Sequence, residues 1–564
     1  MTVVAALTSA PRQRLGDELL MRVAVAMLVV LLVTFIALPL ATLLAKSFQD
    51  ASGRFVAVAN YGRYFATPAL VQSLWNSLAV ALLATGIVVP LAFVYAYGLT
   101  RTLMPAKTLF VALALLPLFA PSLLPAISLI YIFGNQGFLK SLLFGASIYG
   151  PLGIVMAQVF YCFPHALMIL ITAFSLADGR LYEAAAAMGT GRWRVFWTVT
   201  LPGVRYGLIS ALFVVFTLVI TDFGIAKVIG GQFNVLATDA YKQVVGQQNF
   251  EMGAVVGFIL LLPAMVAFGL DRGVQRRQVA LLSARAVPFE PARNPVQDWG
   301  MAAYSLVTGG LIAAVLAVAV WGSFVTYWPY NLSLTLNNYD FENFEPNAAG
   351  PYFVSITMAA LAATAGTAII FTGAYLIEKG RGSRLLRASA QLLAMLPMAV
   401  PGLVLGLSYV FFFNAPWNPL GVLYGSIALL AINSIAHFYT TAHVTASTAL
   451  KQIDGEFEAV SASLKVPFYK TFARVTVPIC MPAILDVAVY LFVNALTTVS
   501  AVIFLYGASS KPAAISIVHM DEAGATAAAA AMATLIVITA LTVKLLQLLA
   551  GRTLFAKLQV WRKR

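Results

Sequence analysis

Few residues in this chain of 564 are placed to do chemistry, and those few lie in apolar surroundings. The run ITDFG sets Thr221, Asp222 and Phe223 in one apolar stretch, and a second carries Asp486, Asn494, Thr497 and Thr498. Polar groups inside a membrane are costly and face a cavity or a partner. Here they could guide a polar solute, Asp222 suiting an ammonium and Asn494, Thr497 and Thr498 an anion. The plainer reading makes Asp222 an ion pair with Lys227. Hydrolytic chemistry has no such foothold: no stretch has G-x4-G-K-[ST], and Gly189-Thr190-Gly191 lacks the Lys and the flanking strand. His165, His437, His443 and His519 are scattered, and Cys162 and Cys480 fit no disulfide or metal spacing. No enzyme activity, cofactor or metal is expected.

A second set of residues is suited to docking. Glu183 to Pro202 reads EAAAAMGTGRWRVFWTVTLP, with the spacing E-A-A-x3-G-x9-[IV]-x-L-P. A short helix would carry Glu183, Ala184 and Ala185, the carboxylate sitting well on the dipole of the first turn. Gly189 then permits a sharp turn. Arg192, Trp193, Arg194, Phe196 and Trp197 make a basic aromatic knob before Leu201 and Pro202 open the next element. The stretch recurs from Glu458 to Pro478 as EAVSASLKVPFYKTFARVTVP. Glu458, Ala459 and Pro478 are in place, but Leu464 or Lys465 stands where Gly is expected, and one extra residue precedes the proline. An ordinary interhelical loop would explain one copy. Two copies at equivalent places in a repeat argue for a shared partner.

The elements that must position these groups are membrane helices. At 61% hydrophobic and 10% charged the chain cannot cover a soluble surface. With about 20 apolar residues per span, twelve spans are expected, the third and ninth carrying Pro117-x3-Pro121 and Pro397-x3-Pro401 as kinks. The apolar run from Val23 to Leu44 is too long for the core of a cleaved signal and is expected to stay as the first helix. Glu183 and Glu458 are 275 residues apart, Pro202 and Pro478 are 276 apart, and the proline pairs 280, so two halves repeat. An even number of spans per half makes the repeat parallel. Residues 1–278 form the first half, 279–299 a cytoplasmic connector, and 300–564 the second half. With the N-terminus inside, inner loops and tails hold twenty-eight of the 35 Lys and Arg. Both termini and both docking loops then face the cytoplasm, and the net charge of +14 needs no nucleic-acid partner.

The loop at 183–202, with its degenerate copy at 458–478, resembles the "EAA" loop of ABC importer permeases. The chain looks like a fused, double-length type I permease, an all-α integral membrane protein of about twelve helices in two parallel six-helix repeats. That resemblance implies a bacterial inner-membrane protein. It also implies two separate ATPase subunits gripping the two loops and a periplasmic or extracellular solute-binding protein docking outside. Among double-length permeases, the runs at 461–478, 494–506 and 519–533 look most like 2-aminoethylphosphonate permeases, with ferric-iron permeases next. A secondary transporter with twelve spans is the alternative of another class, and it would need no such loops.

Overall fold

Pro117 and Pro397 do more than kink their helices. In the computed structural model, which describes residues 3–281, 287, 289–344, 349–380 and 383–551, each proline sits in a 3-10 turn, Leu116–Phe119 or Leu396–Ala399. Ala120 and Val400, each preceding the second proline, are extended, as the steric demand of the pyrrolidine ring requires. The helices on either side therefore fold back rather than continue. Lys107–Phe119 meets Leu123–Phe133 at 103°, and Arg384–Ala399 meets Gly402–Phe413 at 115°. A third bend of 78° divides Phe468–Ile479 from Met481–Thr497. Nine helices among the described residues are long and apolar enough to cross a membrane, and the three bent pairs bring the number to twelve. The all-α expectation holds apart from one hairpin, Val325–Tyr327 with Asn331–Leu334. Arg285, Pro288, Arg381 and the basic tail from 552 lie outside the described residues.

Two compact units form, and their boundaries are not those of the sequence halves. One unit comprises residues 1–46, 350–514 and 536–564; the other comprises 47–349 and 515–535. In the first, helix Glu18–Ser47 packs Met21 and Val25 on Leu376. There too Tyr409 donates to the Phe35 carbonyl at 2.6 Å, and Phe35 stacks on Phe413. In the second unit, Pro295–Phe324 is anchored by Tyr304, which donates to the Leu91 carbonyl at 2.8 Å. Gly309 and Gly322 let this helix approach Leu113 and Tyr131, where a Cβ would find no comfortable room. Each half's opening helix thus completes the core of the other half's elements.

The segment following each opening helix repeats a polar clasp. Asn60 donates to the carbonyls of Ser47 and Gln49 at 3.0 and 2.8 Å, while Ser47 and Tyr61 share a hydroxyl pair at 2.9 Å. Asn338 donates to Ser323 and Val325 at the same two distances, with Ser323 and Tyr339 at 2.7 Å. The backbone carbonyls that a helix end leaves open are closed in both copies by an asparagine, and the following tyrosine holds the serine hydroxyl. This landmark of the repeat was legible in the sequence and escaped the reading above.

Candidate docking loops and the spans that follow them

Helix Arg180–Ala187 places Glu183 in its first turn. It ends because Gly189 turns left-handed, φ +65°. The Thr190 amide then reaches the Ala185 carbonyl and the Gly189 amide the Ala186 carbonyl, both at 3.0 Å, a closed helix end of the kind glycine favours. A turn at Arg192–Val195 and a π-helical turn at Phe196–Thr200 lead into Leu201–Thr221. Glu183, Ala184, Gly189, Arg192, Trp193 and Pro202 are exposed, Leu201 is half-buried, and Ala185 is buried against the body. Trp193, Phe196 and Trp197 pack on one another, and Phe196 roots the group on Phe93.

The second loop copies this path at a constant offset of 276. Helix Glu456–Ser463, a turn at Phe468–Thr471 and a π-helical turn at Phe472–Thr476 match the first copy residue for residue. Lys465 takes the position of Gly189 with φ +57°, and the Val466 amide closes on the Ser461 carbonyl at 2.9 Å. The doubt over its turn is thereby answered: the turn forms with lysine in the left-handed seat. The same register corrects the pairing of Glu183 with Glu458. Glu183 corresponds to Ala459, and Glu458 to Tyr182. The structural role differs accordingly, since Lys379 Nζ lies 3.3 Å from Glu458 Oε1 and donates to the Ile453 carbonyl at 3.2 Å. In the first loop Tyr182 lies under the Arg101 guanidinium and donates to Thr200 at 3.2 Å. Ala459, Leu464 and Pro478 are exposed. Phe472, the counterpart of Phe196, packs with Phe371, Tyr375, Leu450 and Cys480; Cys480 and Cys162 are both buried and free.

The register also adds Leu181, Met188, Phe457 and Tyr469, which motif reading missed, to Trp193 and Leu464, which it named. Leu181 and Phe457, Met188 and Leu464, and Trp193 and Tyr469 form three matched pairs, every member between 41% and 76% exposed. Clustered exposed apolar side chains mark an interaction surface. A comparison of the two loops at offset 276 rather than 275 would have found them.

The polar residues beyond the loops are differently disposed. Asp222 and Thr498 both cap the ends of their helices in extended conformation. Asp222 accepts from the Ile225 amide at 2.9 Å and from Gln158 at 3.1 Å, with Ser122 and the Gly224 amide also donating. It therefore caps the short helix Gly224–Ile229. The expected ion pair is absent: Lys227 lies 2.5 Å from Glu522 and over the Tyr241 ring. Phe223 is fully buried against Tyr241, and Thr498 is buried. Thr221, Asn494 and Thr497 are half-buried and bond back to carbonyls of their own helices at 2.8 to 2.9 Å.

Glycine and serine trade places where each bent span meets the chain after Asp222 or Thr498. A Cβ on Gly224 would fall 2.5 Å from Ser122 Oγ, and a Cβ on Gly402 would fall 2.7 Å from Ser500 Oγ. The same close approach is made once as Ser122 on Gly224 and once as Gly402 on Ser500.

The chain matches the family described as "Binding-protein-dependent transport system inner membrane component" over residues 89–279, which include the first loop. It is 27% identical over 550 residues to the ferric transport system permease protein FbpB of Actinobacillus pleuropneumoniae, covering 94% of this chain and 78% of that one. Over 262 residues it is 25% identical to the spermidine/putrescine transport system permease protein PotB of Haemophilus influenzae, 44% of this chain and 91% of that one. Over 157 residues it is 32% identical to the molybdenum transport system permease protein ModB of Escherichia coli K12, 27% of this chain and 69% of that one. The repeated loops, the apolar helices and these relatives together place the chain in the family of binding-protein-dependent transport inner-membrane components, as a multi-pass permease subunit of an ABC importer.

Proposed function

We propose that the permease docks one ATPase subunit on each of its two loops, 183–202 and 458–478, and that closure of the ATPases drives import of a solute delivered by a binding protein. The observation that carries this reading is the set of three matched exposed apolar pairs. A loop that merely joined two helices would have no reason to hold Leu181, Met188 and Trp193 in water, nor to repeat the pattern with Phe457, Leu464 and Tyr469. Glu183 and Arg192 flank these side chains in the first loop and would supply its polar rim. Substituting Met188→Glu with Leu464→Glu should strip the ATPase from the purified permease while leaving it in the membrane. Retention of both ATPases by that double variant would overturn the docking surface.

For the solute, ferric iron is favoured over 2-aminoethylphosphonate. Ferric permeases align along nearly the whole chain, and the phosphonate likeness drawn from 461–478 and 519–533 has no counterpart among the relatives above. Asp222, which would have held the ammonium of a zwitterion, is engaged as a helix cap. Thr221, Asn494 and Thr497 remain as candidate lining of the path; Asp222, Phe223 and Thr498 are assigned to structure. Titrating the partner binding protein with ferric iron, phosphate and 2-aminoethylphosphonate tests the choice, and selective binding of the phosphonate would reverse it.

A further inference from the structure

The connector between the halves does not simply pass the first loop. The Val287 carbonyl accepts from the Gly179 amide at 2.8 Å, and the Val287 amide reaches Asp178 at 3.4 Å. Phe289 packs on Tyr182 with ring centres 4.5 Å apart and planes tilted by 54°. Arg101, buried at the end of helix Pro68–Arg101, lies beside both. Its guanidinium carbon is 4.7 Å from the Phe289 ring centre and 5.2 Å from those of Tyr182 and Phe174. It also donates to the Phe174 carbonyl at 2.7 Å. Farther on, Asn294 meets the Arg192 guanidinium once its amide is turned to satisfy both partners. Asp298 then fixes the end of the segment by accepting from the Leu103 amide at 2.8 Å and the Asn294 amide at 3.2 Å.

The second loop has no such strap among the described residues. Where the first loop uses Arg101, Tyr182 and the borrowed ring of Phe289, the second sets Lys379 against Glu458 and packs Phe468 on the cluster of Met21, Val25 and Leu376. A cation held among three aromatic faces keeps its charge while sheltered from water, so removing one face leaves both a gap and a poorly covered guanidinium.

We propose that Phe289 and Arg101 are positioning residues for the first loop, and that Val287 together with residues 289–298 of the connector sets where Leu181, Met188 and Trp193 stand. Docking on the first loop therefore depends on the connector, whereas docking on the second does not. This rests on the reading of the loops as ATPase docks. Phe289→Ala should thus act without touching the ATPase itself.

The test uses the full chain co-expressed with its ATPase, with spin labels on cysteines at Leu103 and at exposed Ala187 for the distance, and the ATPase-to-permease ratio measured by native mass on the unlabelled chain. Phe289→Ala should broaden the label distance and release one ATPase of two; Phe289→Tyr should restore both. Phe289→Leu, which keeps apolar volume, should give a smaller change in the same direction and serves if the alanine variant does not insert. An unchanged distance and two bound ATPases in Phe289→Ala or Phe289→Leu would overturn the proposal. Met188→Glu, read alongside, separates the two ideas. Should Met188→Glu keep both ATPases, the docking reading fails; should it lose one while Phe289→Ala loses none, only the strap fails.

Discussion

Lys465 shows how far one side chain can depart from a motif without losing the motif's shape. A left-handed lysine costs about 1 kcal/mol relative to glycine, and the exposed side chain recovers nothing by burial. Lys465→Gly should therefore keep ATPase binding and raise stability by up to about 1 kcal/mol, with Gly189→Lys losing a similar amount; thermal unfolding in detergent would register both. Asp222 teaches the opposite lesson. Its chemistry suggested a solute, but its partners are Gln158 and the Ile225 amide, and asparagine caps helices as well as aspartate does. Asp222→Asn should leave uptake near wild type, while Asp222→Ala should cost about 1 kcal/mol of stability. Lys227→Gln should behave independently of both, because its partner is Glu522. Rescue of a damaged Asp222→Asn by Lys227→Gln would refute this account. What sequence could not show at this scale was partnership. Gln158 is 64 residues from Asp222, and nothing in the loop motif pointed from Glu458 to Lys379.

At the scale of elements, the spans, the loop helices and the repeat were readable because each rests on local pattern: apolar length, an Ala-rich helix with a glycine stop, prolines at fixed spacing. The bends were read too mildly. A single proline kinks a helix, but here the first proline sits in a 3-10 turn and the second forces its predecessor, Ala120 or Val400, out of the helix, and the angles reach 103° and 115°. The exchanged glycine and serine contacts make a sharp prediction for these bends. Gly402→Ser alone would set two hydroxyls in one space and should destabilise by about 1–3 kcal/mol. Pairing it with Ser500→Gly recreates the Ser122–Gly224 arrangement and should restore most of the loss, measured as thermal midpoint. A double variant no better than the single one would show that the neighbouring His437, 3.0 Å from the built Cβ, sets the limit instead.

For the whole molecule, the repeat was legible and the grouping was not. Periodicity tells which helices are equivalent, but only long-range packing tells which ones share a core, and here each opening helix joins the other half's elements. Fragments 1–278 and 300–564 should consequently accumulate only when co-expressed, each being degraded when made alone; stable accumulation of either fragment by itself would contradict the exchanged packing. Orientation can be tested at two exposed sites. A cysteine at Tyr330, on the hairpin turn, should react with an impermeant reagent from outside, and one at Val296, in the connector, should not.

The traded glycine and serine also bear on how this gene can change. Long duplicated stretches invite recombination between copies, which tends to make repeats alike. A conversion tract that carried the third span into the ninth but stopped before the eleventh would bring Ser122's counterpart to face Ser500. The reverse tract would leave two glycines facing across a gap. Either product should be less stable than its parents, so an exchange between the two copies that stops at this contact carries a cost that a longer exchange escapes.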